Sequence, residues 1–176
     1  MALPSNNTNR LVVKYNDGLH NHNLLLRFPE GVTDAAVLTV AEDFLTALDP
    51  SLYLVTILGV VEYEINTNVG FPVAWPGPAT FGTGAQPAVN APRQLRWEGY
   101  SFGGHKVSFS MWGGDFTVPS TYRFQDTVQA DFTAGRNVLY AAMNAGTLCA
   151  IDGTQANMKT YINVNFNSYW ERKSRI

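Results

Sequence analysis

Four places in the sequence hold residue types whose spacing could support chemistry. Gly99-Tyr100-Ser101-Phe102-Gly103 matches G-x-S-x-G, the turn that lifts a nucleophilic serine between a strand and a helix. The residues that follow, Gly104-His105-Lys106-Val107-Ser108-Phe109-Ser110, read as a strand, so the expected element is a hairpin turn. A hydrolase of that kind also places an acid and then a histidine well downstream, and the only histidine after Ser101 is His105, four residues away. His20 and His22 form an H-x-H pair. On a strand both would face one way and could hold a metal if a third ligand, Asp17 or His105, approached. Without one, the pair is two imidazoles in a polar hairpin loop. Glu62 and Glu64 would share a strand face about 7 Å apart. Paired carboxylates serve glycosidases, and alternating glutamates also mark a solvated face or a salt bridge to a neighbour. Cys149 is the single cysteine, so no internal disulfide can form. It lies in the apolar run Leu148-Cys149-Ala150-Ile151 and reads as a small buried hydrophobe. No P-loop, dinucleotide fingerprint, CxxC pair, EF-hand loop or HExxH is present. No catalytic residue, cofactor or metal is expected, and the chain does not read as an enzyme.

The elements that must position these residues follow from periodicity. Residues 1–9 are polar and read as an extended arm. Arg10 to Tyr15 and Leu24 to Phe28 flank the turn signal Asn16-Asp17-Gly18 and predict a β-hairpin. Thr33 can cap a helix, with Asp34 just inside it where the macrodipole favours an anion. Val37, Val40, Ala41, Phe44 and Leu48 then recur at helical spacing, which predicts a helix over 33–48, ended by Asp49-Pro50. Leu52 to Ile65 is strand-like. Its first half is continuously apolar, as in a strand covered on both faces, and its second half alternates. Residues 70–92 hold five of the nine prolines, and with Phe71, Trp75 and Phe81 they predict a long loop with apolar anchors. Gln94 to Tyr100 and Lys106 to Trp112 predict a second hairpin, and Pro119 to Phe124 an edge strand. Thr133 is a candidate cap for a second helix with Val138, Ala141, Ala142 and Ala145 on one face and Gly146 just past its end. Leu148 to Ile151 and Tyr161 to Asn167 complete the strands. The two halves echo each other as hairpin, helix and strand, without a sequence repeat.

A single α+β domain over 10–176, mainly β, is therefore expected, with an antiparallel sheet and two helices on one face. A jelly-roll-like sandwich is the alternative. Its 176 residues suffice for one hydrophobic core. Charged residues make up 15% of the chain, against about 25% in an average domain. That suits a surface enclosed in an assembly, or a secreted β-protein. The twelve basic residues are scattered, the net charge is −2, and no basic arm leads the chain, so direct nucleic-acid binding is not expected. The N-terminus lacks the apolar region of a signal peptide, and no apolar run reaches membrane-spanning length.

Aromatic residues concentrate in loops, at hairpin ends and near the C-terminus, and arginine outnumbers lysine eight to four. Both biases favour interfaces. Phe71, Trp75, Phe81, Trp97, Trp112, Tyr169, Trp170 and Arg172 are the candidate interface residues. They would serve a subunit interface in a homo-oligomer or shell, or a glycan-binding face built of aromatic platforms.

Leu95-Arg-Trp-Glu-Gly-Tyr-Ser-Phe-Gly-Gly-His-Lys-Val and Tyr161-Ile-Asn-Val-Asn-Phe-Asn-Ser-Tyr-Trp-Glu-Arg-Lys-Ser-Arg carry a further signal. They resemble a G-[RY]-S-x-x-G hairpin and an N-x-x-x-N-x-Y-W-x-R-K-x-R tail in virion structural proteins of bacteriophages. The resemblance covers roughly the C-terminal half. It implies a capsid, cement or decoration protein made in the host cytoplasm and assembled into the virion. A tail-associated or receptor-binding module is the alternative. No catalytic residues come with it.

Overall fold

A computed structural model describes residues 8–18, 20–49, 52, 54–64, 67–82, 93–100, 106–112, 126–149, 158–166 and 170–175. Strands β1 (Thr8–Asn16) and β2 (Asn21–Pro29) form the first hairpin, followed by helix α1 (Asp34–Leu48) and strand β3 (Val55–Glu64). Two short strands, β4 (Gly70–Val73) and β5 (Thr80–Phe81), follow. Then come β6 (Arg93–Tyr100), β7 (Lys106–Trp112), α2 (Asp126–Asn144), β8 (Met158–Phe166) and β9 (Trp170–Arg175). Among the described residues these make one antiparallel nine-stranded sheet in the order β4-β3-β1-β2-β7-β6-β8-β9, with β5 also pairing β3. The fold is α+β and mainly β, not a jelly-roll.

Alternation sets the two faces of the sheet. Leu11, Val13 and Tyr15 of β1 and Leu24, Leu26 and Phe28 of β2 are fully buried on one face. Phe44, Leu45 and Leu48 of α1, Leu139 and Met143 of α2, and Phe109 of β7 join them in one core. Both helices contribute to this one face. Residues Lys14 and Asn23, register partners on the other face, are exposed.

Helix α1 follows its local signals. Thr33 accepts a hydrogen bond from the Ala36 N–H, and Asp34 occupies the first turn. Of the expected stripe, Val37, Ala41, Phe44 and Leu48 are buried and Val40 is half-buried; Leu38 and Leu45 are buried besides, and Phe44 and Leu48 face Gly135 of α2. The second helix begins at Asp126, well before the Thr133 cap expected from sequence. Thr133 and Gly135 weaken the local helix signal, yet Gly135 is buried against α1. Its buried positions among the described side chains are Gly135, Leu139, Tyr140, Ala142 and Met143, whereas Ala141 and Ala145, expected on the apolar face, are exposed. The helix ends as expected at Gly146, whose φ of 79° requires no side chain. The Gly146 N–H donates to Met143 O and the Thr147 N–H to Ala142 O, a Schellman ending.

Strand β3 departs from expectation. Leu52 and Val55 are fully buried, but Leu54 and Leu58 are 40% and 56% exposed, so its first half is covered on one face only. Lys14 pairs with Gly59 and Tyr15 with Ile57, leaving Leu58 as the extra residue of a bulge. Strand β1 begins at Thr8, inside the segment read as an arm. The segment 70–92, read as one loop, contains β4 and β5. The C-terminal segment is strand β9, paired with β8 along its whole length. The Cys149 N–H donates to Arg27 O, the one feature of the expected 148–151 strand within the described residues. The expected strand 119–124 lies outside them.

The strand order is the same read from either end of a seam between β2 and β7. The first half runs β1-β2-α1-β3-β4 and the second β6-β7-α2-β8-β9. Leu25 pairs with Ser108 at the seam. From Leu25 the register leads to Val12, back to Arg10 and across to Tyr63. From Ser108 it leads to Glu98, back to Arg96 and across to Tyr161. Each half thus places an arginine opposite a tyrosine at the same distance from the seam.

Candidate functional site

The candidate interface residues within the described segments are spread over β4 to β7 and β9. Phe71 is on edge strand β4, opposite Glu62, and is 49% exposed. Trp75 is half-buried, donates its Nε1–H to Pro78 O at 2.7 Å and meets Phe81 edge-on at 6.2 Å. Phe81 is 5% exposed and part of the core, which leaves it almost no surface for a neighbour. Trp97 lies opposite Phe109 and Thr160, and Trp112 ends β7 opposite Gln94. Trp170 and Arg172 are in β9, opposite Phe166 and Val164. Tyr169 lies outside the described residues.

The exposed large apolar side chains form a pattern that the sequence did not disclose. Among the described residues they are Leu54, Leu58, Val69 and Phe71. Leu54 precedes β3, Leu58 is in it, Val69 lies in its connection to β4, and Phe71 is in β4. Only Phe71 was a candidate from sequence. Leu58 is exposed by the bulge, and a bulge leaves no mark in a run of apolar residues. Pro72 of β4 has no N–H to offer another strand, which suits an edge.

The turn between β1 and β2 brings a buried carboxylate against a histidine ring. Asp17 is fully buried. Its Oδ1 accepts the His20 N–H at 2.8 Å, and its Oδ2 lies 2.6 Å from His22 Nε2. The Asp17 N–H donates to His20 O, which closes the turn. The His22 ring stacks on Tyr15 at 5.4 Å, Tyr15 stacks on Phe109 at 5.1 Å, and Phe109 meets Phe44 edge-on at 5.0 Å. An aromatic column therefore runs from the turn to α1. His22 is not the exposed imidazole of a polar loop. Asp17 does approach it, as a hydrogen-bond partner. Among the described residues no three His, Cys, Asp or Glu side chains gather where a metal could be held.

The remaining chemical candidates have structural partners or lie elsewhere. Glu62 accepts from Asn9 Nδ2 at 2.9 Å, and Glu64 accepts from the Thr67 hydroxyl at 3.3 Å. Cys149 is buried, and burial pushes its thiol up to about 11 against the opposing pull of Arg27. A thiol so placed stays protonated at neutral pH and is a poor nucleophile. Ser101 and His105 lie outside the described residues. No described helix is long and apolar enough to cross a membrane. Comparison with protein families, curated proteins and solved structures finds no match to this chain.

Proposed function

We propose that the chain is a virion structural protein that self-associates, in a bacteriophage capsid or as a protein that cements or decorates one. The observation that carries this reading is the apolar margin of the sheet, where Leu54, Leu58, Val69 and Phe71 are between 40% and 56% exposed. Leaving such side chains in water forgoes stabilisation on the order of 25 cal/mol per Å². Burial against a neighbouring subunit recovers it. With Pro72 in the edge strand, side chains rather than an added strand make the contact. The phage-like hairpin and tail, and the low content of charge, fit the same setting. Partners are then further copies of the chain and other virion proteins. Trp75 donates its N–H within its own loop and packs on the core, so the glycan-platform reading gains nothing from it.

The native mass decides. Light scattering and negative-stain imaging across concentration should show species above the 19.4 kDa monomer. The pair Leu58→Ser and Phe71→Ser should return the chain to monomer with its circular dichroism unchanged. A monomer at every concentration, or assemblies indifferent to the pair, overturns the reading.

A further inference from the structure

The basic residues, scattered along the sequence, are gathered by the register of the sheet. Arg10, Lys14 and Arg27 hold positions on the face opposite the helices. Arg96, Lys106, Lys159, Lys173 and Arg175 hold positions on the same face of the second half. Eight of the chain's twelve basic residues thus belong to one face of one sheet. The acidic residues at strand positions of this face are Glu98 and Glu171. The strand positions of this face thus carry eight basic residues against two acidic ones, although the chain as a whole is −2. No described element packs on it.

Two details go beyond net charge. Arg10 and Arg27 are direct cross-strand partners, an arrangement that like charges disfavour. Their Nε atoms are buried without a hydrogen-bond partner, and neither residue makes an ion pair among the described residues. An anion on this face would relieve that repulsion. Secondly, cations and aromatic residues alternate in register. The Arg10 guanidinium lies 4.8 Å from the centre of the Tyr63 ring. Tyr161 is opposite Arg96 and Arg175, and Tyr100 is opposite Lys106. Phosphates seek cations, and unpaired bases seek aromatic rings.

From this placement we infer that the face of the sheet opposite the helices binds single-stranded nucleic acid, its phosphates held by the basic positions and its bases by the interleaved aromatic ones. Eight strands at about 4.8 Å each give a face some 34 Å wide, enough for a run of several nucleotides. Duplex would present its phosphates but keep its bases from the rings. The inference does not depend on self-association, and it can hold for a monomer.

Fluorescence anisotropy of labelled dT20 and U20 oligonucleotides with the full chain tests it. Saturable binding at 50 mM salt is expected, weakening on the order of 10²-fold by 200 mM if about six phosphates are neutralised. Lys14→Gln, Lys106→Gln and Lys173→Gln together should lower the salt slope by about two. A control carries the same net-charge change on exposed helix positions, Thr46→Glu, Asn137→Glu and Ala141→Glu, and should keep the slope. No saturable binding at 50 mM salt overturns the inference. Equal weakening in the control reduces it to net charge and overturns it as well. A duplex of equal length bound as tightly overturns the single-strand assignment.

Discussion

Gly135 of α2 lies so close to Leu48 of α1 that a Cβ there would stand 2.8 Å from Leu48 Cδ2 and 3.3 Å from Phe44 Cε2. The two helices meet at a position where only a hydrogen fits, and a residue that weakens a helix by about 1 kcal/mol is retained inside one. Gly135→Ala should gain that propensity and lose about 1–3 kcal/mol to overpacking. The net expectation is a loss of about 1 kcal/mol and a melting temperature lower by about 2–4 °C. Leu48→Ala in the same background should relieve the clash, so the double variant should be more stable than additivity allows. Strict additivity in thermal unfolding would contradict the contact.

The Asp17–His22 pair is a strut between the first turn and the core. Its carboxyl group is fully buried, accepts the His20 N–H and lies 2.6 Å from the His22 ring nitrogen. Asp17→Ala should cost about 2–4 kcal/mol in denaturant unfolding, since the His20 N–H and the His22 ring nitrogen both lose their buried hydrogen-bond partner. His22→Phe keeps a ring on Tyr15 and should cost less than Asp17→Ala. If Asp17→Ala costs under about 0.5 kcal/mol, within the range of neutral surface changes, the strut is absent.

How much of this was legible depended on how local each cause is. Helix α1 was readable because Thr33, Asp34 and its apolar stripe all lie within the helix or next to it. Gly146 was readable for the same reason, as one residue with one conformational demand. The start of α2 was not, because Gly135 reads as a weak point until Leu48 is known to press against it. Strand β9 was not, because Trp170 to Arg175 is polar and gains its order from pairing with β8. The pairing of Asp17 with His22 was raised only as a metal possibility, since composition cannot tell a buried carboxylate from an exposed one. The basic face was invisible because Arg10 and Arg96 are neighbours of the same kind only through the seam at Leu25 and Ser108. The exposed apolar margin depended on a bulge that a run of apolar letters conceals.

Arg10 and Tyr63 should be energetically coupled. The guanidinium sits over the ring, and its Nη2 reaches Asn68 Oδ1 at a long 3.4 Å. The other guard of this geometry is Gly70, where a Cβ would stand 2.8 Å from Tyr63 Cε1. A double-mutant cycle of Arg10→Met and Tyr63→Leu should return a coupling of about 0.5–1 kcal/mol, the range for a partly exposed cation over an aromatic face. The coupling should persist in high salt better than a surface ion pair would. A value indistinguishable from zero would reduce the approach to coincidence.

Cys149 supplies a pH test of burial. Desolvation raises its thiol from 9.0 to about 11 in the folded chain, with Arg27 pulling weakly the other way. A group whose folded value lies above its unfolded one adds stability that is complete below the unfolded value. That contribution fades as pH rises through the folded one. The window is therefore about pH 9 to 11. Tyr140 is also raised, chiefly by burial and against Arg136, so wild-type stability has a second contribution of the same sign in alkali. Cys149→Ala isolates the thiol. The variant should lose less stability than wild type between pH 9 and 11, while the cavity it leaves lowers its stability at every pH. In the folded protein at pH 7.5 the thiol should react with a thiol-exchange reagent far more slowly than in denaturant. Parallel pH curves for wild type and variant, or fast labelling of the folded chain, would show that Cys149 is open to water.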